Sequence, residues 1–122
     1  MLPGVPDLPP ARPASKETIN LINKKTISLL PDGAIVTNVA RGDIVDDDAL
    51  IEALDSKKVS AVGLDVYKNE PKLNPGYLKH SRAFVLPHLG SATFETRTAM
   101  ANLAIDNISE FFETGSCKNK VN

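Results

Sequence analysis

Arg41 follows the apolar run Ala34-Ile35-Val36-Thr37-Asn38-Val39, Asp65 closes the run that starts at Val59, and His88 follows Ala83-Phe84-Val85-Leu86 across Pro87. Glu70 lies a few residues beyond Asp65, immediately before Pro71. A guanidinium, carboxylates and an imidazole form a set suited to acid–base work on a small acid. An arginine fork holds a carboxylate by two parallel hydrogen bonds. A carboxylate beside a histidine favours the protonated imidazole, which then acts as a general acid or, deprotonated, as a base. Arg41, Glu70 and His88 together suit reduction of a 2-oxo acid: the arginine orients the acid and polarises its carbonyl, and the histidine delivers the proton. These residues do not identify the hydride donor. Each also has a plainer reading. Arg41 before Gly42 reads as a turn residue, Asp65 as a loop cap, Glu70 as a solvated carboxylate, and His88 as a structural histidine.

Convergence requires elements that bring distant positions to one place. The β-branched run at 34–39, the run at 59–66 and the run at 83–86 read as three strands. Between the first two, Asp46 caps a helix whose apolar stripe is Ala49, Leu50, Ala53 and Leu54, with Asp47 and Asp48 in the first turn and Lys57 and Lys58 in the last. Upstream, Asn23 caps a short helix over 24–30, with Ile22 and Ile27 at staple positions, and Pro31-Asp32-Gly33 ends it. Downstream, Ser91 or Thr93 opens a long helix (93–114) with Met100, Leu103, Ala104, Ile108 and Phe111 on one face and Gly115 as its stop. The order helix, strand, helix, strand, strand, helix predicts an α/β fold with a parallel sheet. The near-continuous apolar runs predict strands buried on both faces. Parallel strands place Arg41, Asp65 and His88 along one carboxyl edge, where open α/β sheets bind ligands.

Composition narrows the classes. Hydrophobic residues make up 42% and charged residues 24%, with a net charge of −1, so nothing points to nucleic acid or an anionic membrane surface. No apolar run approaches the roughly 20 residues that span a bilayer. No secretory signal is visible at the N-terminus. The single cysteine, Cys117, sits in polar surroundings and is expected to be an exposed thiol in a reducing, cytoplasmic compartment. Cysteine and histidine spacing offers no metal site. Residues 1–13 hold five of the nine prolines, which excludes a helix interior or central strand there.

The motifs resemble one family closely. Asn38-Val39-Ala40-Arg41-Gly42, followed by Ile44-Val45-Asp46 and Ala49-Leu50, resembles the arginine segment of the D-2-hydroxyacid dehydrogenases. Gly63-Leu64-Asp65-Val66-Tyr67 with Glu70-Pro71 resembles their glutamate segment, and Pro87-His88-Leu89-Gly90-Ser91-Ala92-Thr93 their histidine segment. Glu17-Thr18, Leu21-Ile22-Asn23 and Val121-Asn122 follow the same habit. The resemblance covers residues 13–122 and is nearest to glyoxylate and hydroxypyruvate reductases. It implies the C-terminal half of a Rossmann-like parallel sheet, and NAD or NADP as cofactor. It implies Arg41 as the ligand of the substrate carboxylate, His88 as general acid and base, and Glu70 as the partner of His88. Asp65 would sit beside the nicotinamide carboxamide, with Ala40, Arg41, His88 and Gly90 lining that pocket. Pro13, in the place of a loop proline of the family, would touch the adenosine side. The small-molecule partner would be a 2-oxo or 2-hydroxy acid, and a homodimer would be expected of full-length relatives.

The departures are as informative. The family's glycine fingerprint for the pyrophosphate belongs upstream, between a strand and a helix, and is not in this sequence: Gly4 stands alone and the next glycine is Gly33. The residue that distinguishes NAD from NADP and most of the substrate domain belong to the same missing part. Residues 1–12 do not resemble the family. These features raise the expectation of a fragment without independent turnover, with an unpaired sheet edge. A chain complementing a separate polypeptide, and a non-catalytic scaffold of the same family, are the alternatives.

Overall fold

The computed structural model describes residues 16–121. Pro13 and the lead-in 1–12 lie outside the described residues. The elements are α1 (Lys24–Ser28), β1 (Ala34–Asn38), α2 (Asp47–Asp55), β2 (Val59–Leu64), β3 (Ala83–Val85) and α3 (Phe94–Thr114), in the expected order. Two 3-10 turns, Gly42–Ile44 and Tyr77–Lys79, interrupt stretches that carry no periodic signal. The chain divides into one unit that ends at His88 and another that begins at Leu89.

In the first unit β1, β2 and β3 form a parallel sheet in that order, with Asn38 opposite Leu64 and Leu64 opposite Val85. Both helices start where side chains satisfy the free N–H groups of a first turn. Asn23 accepts from Lys25 and Thr26, and the Thr26 hydroxyl accepts in return from the Asn23 N–H at 2.9 Å. Asp46 accepts from Ala49. α1 stops at Ser28, two residues short of the run read as helical. α2 stops at Asp55, so Lys57 and Lys58 lie beyond its last turn. Lys57 takes a positive φ of 62°, the left-handed step that ends many helices, and Lys58 turns away to pair with Asp32 at 2.7 Å.

The core holds Leu50, Ala53 and Leu54 of α2, Ile27 of α1, Val36, Val59, Val62 and Leu64 of the sheet, and Tyr77 from the loop between β2 and β3. Leu50 and Val59 are wholly buried. Burial on both sheet faces does not hold. Val36 and Asn38 are buried while Ile35 and Thr37 between them are exposed, and Phe84 on β3 is 67% exposed. The reason lies in the connections. The β1–β2 crossover supplies α2 to one face. The β2–β3 connection contributes only a 3-10 turn, whose Tyr77 joins the same core.

Tyr77 is 1% exposed, and its hydroxyl donates to the Asp47 carboxylate at 2.9 Å. Burial, reinforced by Asp47, pushes the phenol far above its usual range. Burial also raises the Asp47 carboxyl, an effect the Tyr77 hydrogen bond partly offsets. A carboxyl raised in the folded state disfavours folding once ionised, so this contribution costs stability at neutral pH. The cost is relieved as pH falls through the raised value toward 3.8. Tyr77→Phe removes the offset and leaves Asp47 without its donor. Urea titration at pH 7 is expected to show a loss of about 1–3 kcal/mol, smaller near pH 4. An equal loss at both pH values would assign the effect to packing.

In the second unit Thr93 accepts from the Thr96 N–H and caps α3, and Gly115 ends it with a φ of 75°. The stripe Met100, Leu103, Ala104, Ile108 and Phe111 contains no buried residue. Cys117 is half-buried, because the turn after Gly115 folds back and Lys118 bonds Glu110, instead of leaving the thiol fully exposed. No described helix is long and apolar enough to cross a membrane.

Candidate active site

The three strand ends are tied rung by rung. Asp65 N–H donates to the Asn38 carbonyl, and His88 N–H donates to the Asp65 carbonyl, both at 2.9 Å. Leu86 N–H donates to the Leu64 carbonyl at 2.8 Å just before this row. Residues 38, 65 and 88 therefore stand side by side at the carboxyl edge, where parallel strands direct their following loops into one place.

Arg41 rides on a short turn beyond Asn38. The Asn38 side chain, buried within the turn, accepts from the Ala40 N–H at 3.0 Å and donates to the Arg41 carbonyl at 2.9 Å. Asparagine suits this place because its side chain mimics the backbone of a turn. Gly42 follows and is buried, packed so closely on the Tyr67–Lys68 peptide that a methyl group there would overlap the Tyr67 carbonyl and the Lys68 nitrogen. The next residues are held from the other side: Asn20 N–H bonds the Asp43 carbonyl at 2.9 Å, and Ile22 N–H bonds the Ile44 carbonyl at 3.0 Å. The Arg41 side chain is exposed, with its guanidinium donating to the Ala40 carbonyl at 2.6 Å.

Glu70 and His88 meet directly. His88 Nδ1 lies 2.8 Å from Glu70 Oε2, and the other oxygen, Oε1, accepts the Tyr67 N–H at 3.0 Å. An ionised carboxylate only accepts, so the Nδ1 proton faces Glu70 and Nε2 is left to meet a ligand. The His88 side chain is 47% exposed and that of Glu70 29%, so the pair is open to a small molecule but not fully solvated. His88 has a φ of 57° and Asn69 one of 61°. A non-glycine residue in this left-handed region costs about 1–2 kcal/mol. In return it turns His88 off the strand direction, toward Glu70.

The sequence-derived residues thus separate into groups. Glu70 and His88 touch. Asp65, 7% exposed, links the Asn38 and His88 backbones. Arg41 lies beyond the same edge on the Asn38 turn. The Ala40 N–H and carbonyl are both engaged within that turn. Gly90 belongs to the second unit, and Pro13 is outside the described residues. Sequence reasoning missed three contributors: Asn38 as the clamp of the turn, the Tyr67 N–H as the second grip on Glu70, and Gly42 as a point of close approach. An asparagine between a strand and a turn was a usable signal for the first. The other two depend on non-local contacts.

Chemically, the arrangement offers an imidazole nitrogen oriented by a carboxylate and, beyond the neighbouring strand, a guanidinium. That suits proton transfer to or from a small carboxylic acid. Residues 11–90 match the family model described as D-isomer specific 2-hydroxyacid dehydrogenase, NAD binding domain. The chain is 43% identical over 93 residues to a 2-ketogluconate reductase of Gluconobacter oxydans, covering 76% of this chain and 30% of that one. Among solved structures it resembles a glyoxylate reductase from Paecilomyes thermophila, with a TM-score of 0.85 and 41% identity over 88% of this chain and 33% of that one. It likewise resembles an NADPH-dependent glyoxylate/hydroxypyruvate reductase from Sinorhizobium meliloti in complex with NADP and malonate, with a TM-score of 0.85 and 36% identity over 88% and 34%. The chain thus spans about a third of the length of these relatives.

Proposed function

The chain belongs to the D-isomer specific 2-hydroxyacid dehydrogenase family, and from that premise we propose that residues 13–122 are the catalytic part of an NAD(P)-binding domain whose reaction is reduction of a 2-oxo acid to a 2-hydroxy acid. The observation that carries this reading is the Glu70–His88 pair at 2.8 Å, at the same carboxyl edge of the sheet as the Arg41 turn, with β2 standing between β3 and β1. The Arg41 guanidinium binds the substrate carboxylate and polarises the carbonyl. His88 Nε2–H donates the proton to the carbonyl oxygen, and in the oxidative direction Nε2 withdraws it from the hydroxyl. Glu70 holds the ring in the tautomer both directions need and stabilises the imidazolium. Glyoxylate and hydroxypyruvate are the substrates we favour, from the names of the relatives. The other partners follow the same reading: no nucleic acid, no membrane, a cytoplasmic setting, and a homodimer for a full-length protein.

We assign one end of the cofactor to this chain. A bound nicotinamide supplies the hydride. Asp65, Ala40, Arg41, His88 and Gly90 are the residues we assign to its ring and carboxamide, and Pro13 to the adenosine side. The pyrophosphate has no cradle among the described glycines. Gly33 turns the chain into β1, Gly42 is sealed against the Tyr67–Lys68 peptide, Gly63 faces Thr37 within the sheet, Gly76 packs on Ile51, Gly90 is the single glycine between β3 and α3, and Gly115 ends α3. None forms a glycine-rich turn between a strand and a helix.

The test is a chimera in which residues 16–121 replace the matching segment of the Paecilomyes reductase. It is expected to reduce glyoxylate with NADH or NADPH, and a folded chimera that binds nucleotide without turnover would overturn the proposal. For the 122-residue chain alone, titration with NADH and NADPH followed by nicotinamide fluorescence is expected to show no saturable binding in the micromolar range. Saturation there would place pyrophosphate recognition within this chain. The scaffold alternative retains one prediction of its own: nucleotide binding by the chimera that is indifferent to Arg41→Ala and His88→Ala, with no turnover in any form.

A further inference from the structure

We propose that Gly42 is a positioning residue that couples the Arg41 turn to the Glu70–His88 pair. The role assigned to the coupling in catalysis rests on the proposed function; the coupling itself does not. In the proposed reaction Arg41 and His88 must meet one small substrate together, yet they follow different strands, and the Arg41 side chain is exposed. Their relative placement therefore has to come from the backbone.

A continuous path supplies it. Asn38 clamps the Val39–Arg41 turn through both ends of its side-chain amide. Gly42 then seats that turn on the Tyr67–Lys68 peptide, at a distance no Cβ would permit. The N–H of the same Tyr67 holds Glu70 Oε1, and Glu70 Oε2 holds His88 Nδ1. Hydrogen bonds from Asn20 and Ile22 to the carbonyls of Asp43 and Ile44 fix the far side of the turn, so it cannot simply retreat from an added methyl group. The Tyr67–Lys68 peptide must yield, and the grip on Glu70 yields with it.

Gly63 provides the matched control. It lies within β2, and a methyl group there meets only Thr37 Cγ2 at 3.5 Å, an ordinary contact. The experiment is NMR of the full 122-residue chain labelled with 15N. His80 and His88 are its only histidines, so His88→Gln assigns the ring signals. In Gly42→Ala, the 15N shifts of neutral His88 are expected to lose their preference for the Nδ1–H tautomer. Exchange of the Tyr67 amide is expected to rise about tenfold, the equilibrium consequence of losing one such hydrogen bond. Gly63→Ala is expected to change neither. Where Gly42→Ala does not fold, Asn38→Asp replaces it: the aspartate keeps an acceptor for Ala40 N–H and loses the donor to the Arg41 carbonyl. It is expected to move the Tyr67 amide and the His88 ring signals. A folded Gly42→Ala, or in its absence a folded Asn38→Asp, with unchanged His88 and Tyr67 signals overturns the coupling. This outcome is independent of turnover, so it is distinguishable from a failure of the chimera to reduce glyoxylate.

Discussion

His88→Ala is expected to lower kcat for glyoxylate reduction by the chimera by about 10²–10⁴-fold, the usual contribution of a positioned general acid. KM is expected to move far less, because in the proposed reaction the imidazole acts on a proton that shifts only in the transition state. Arg41→Ala is expected to show a different pattern. In the proposed reaction the guanidinium holds the carboxylate before and during reaction, so its loss is expected to raise KM as well as lower kcat. Glu70→Ala falls between them. It leaves the imidazole in place but removes the acceptor that selects the Nδ1–H tautomer, and the Tyr67 N–H loses its partner too. The measurement is steady-state kinetics of the three variants with nicotinamide oxidation as readout. If His88→Ala changed only KM, the histidine would be a binding group and the proton would come from elsewhere.

The legibility of this site in the sequence follows from the range of the interactions involved. Arg41, Asp65 and His88 were legible as candidates because each stands at or just beyond the polar break that ends an apolar run, and a parallel sheet aligns such breaks without any knowledge of packing; Glu70, in the loop past Asp65 and before Pro71, carries no such signal. The caps Asn23, Asp46 and Thr93 were legible because capping is a contact between near neighbours in the chain. The faces of the sheet were not. Ile35 and Phe84 look like core residues by type, and whether they are covered depends on which side the connections cross; Val39, read as the end of the first strand, lies in the turn after β1 and is exposed. The same limit hid Gly42. Its neighbour in space is Tyr67, twenty-five positions away in the chain, and a glycine after an arginine reads locally as nothing more than a turn. The stop of α2 at Asp55 was also hidden, because Lys57 adopts the left-handed conformation usually left to glycine or asparagine.

Leu50→Ala is expected to produce the largest loss of stability. Leu50 is wholly buried on α2, in the cluster that holds Ile27, Val36, Val59 and Tyr77. Truncating such a leucine costs about 2–5 kcal/mol, because the cavity left behind relaxes only in part. Domains of this size have about 5–15 kcal/mol in total, so the variant stands close to unfolding. Leu103 on α3 is the contrast: the same residue type, 52% exposed, and Leu103→Ala is expected to stay within about 0.5 kcal/mol of the parent. Urea denaturation of the 122-residue chain, followed by circular dichroism, separates the two. The site depends on this core directly. α2 begins at Asp47, whose carboxylate bonds the buried Tyr77 in the loop that also carries Glu70, so displacement of α2 loosens that loop. His88 and Tyr67 signals are therefore expected to disappear in Leu50→Ala at the same urea concentration as its helical signal. Loss of those signals at lower urea, ahead of the helical transition, would mean that the loop opens as a separate unit and that Leu50 does not govern it.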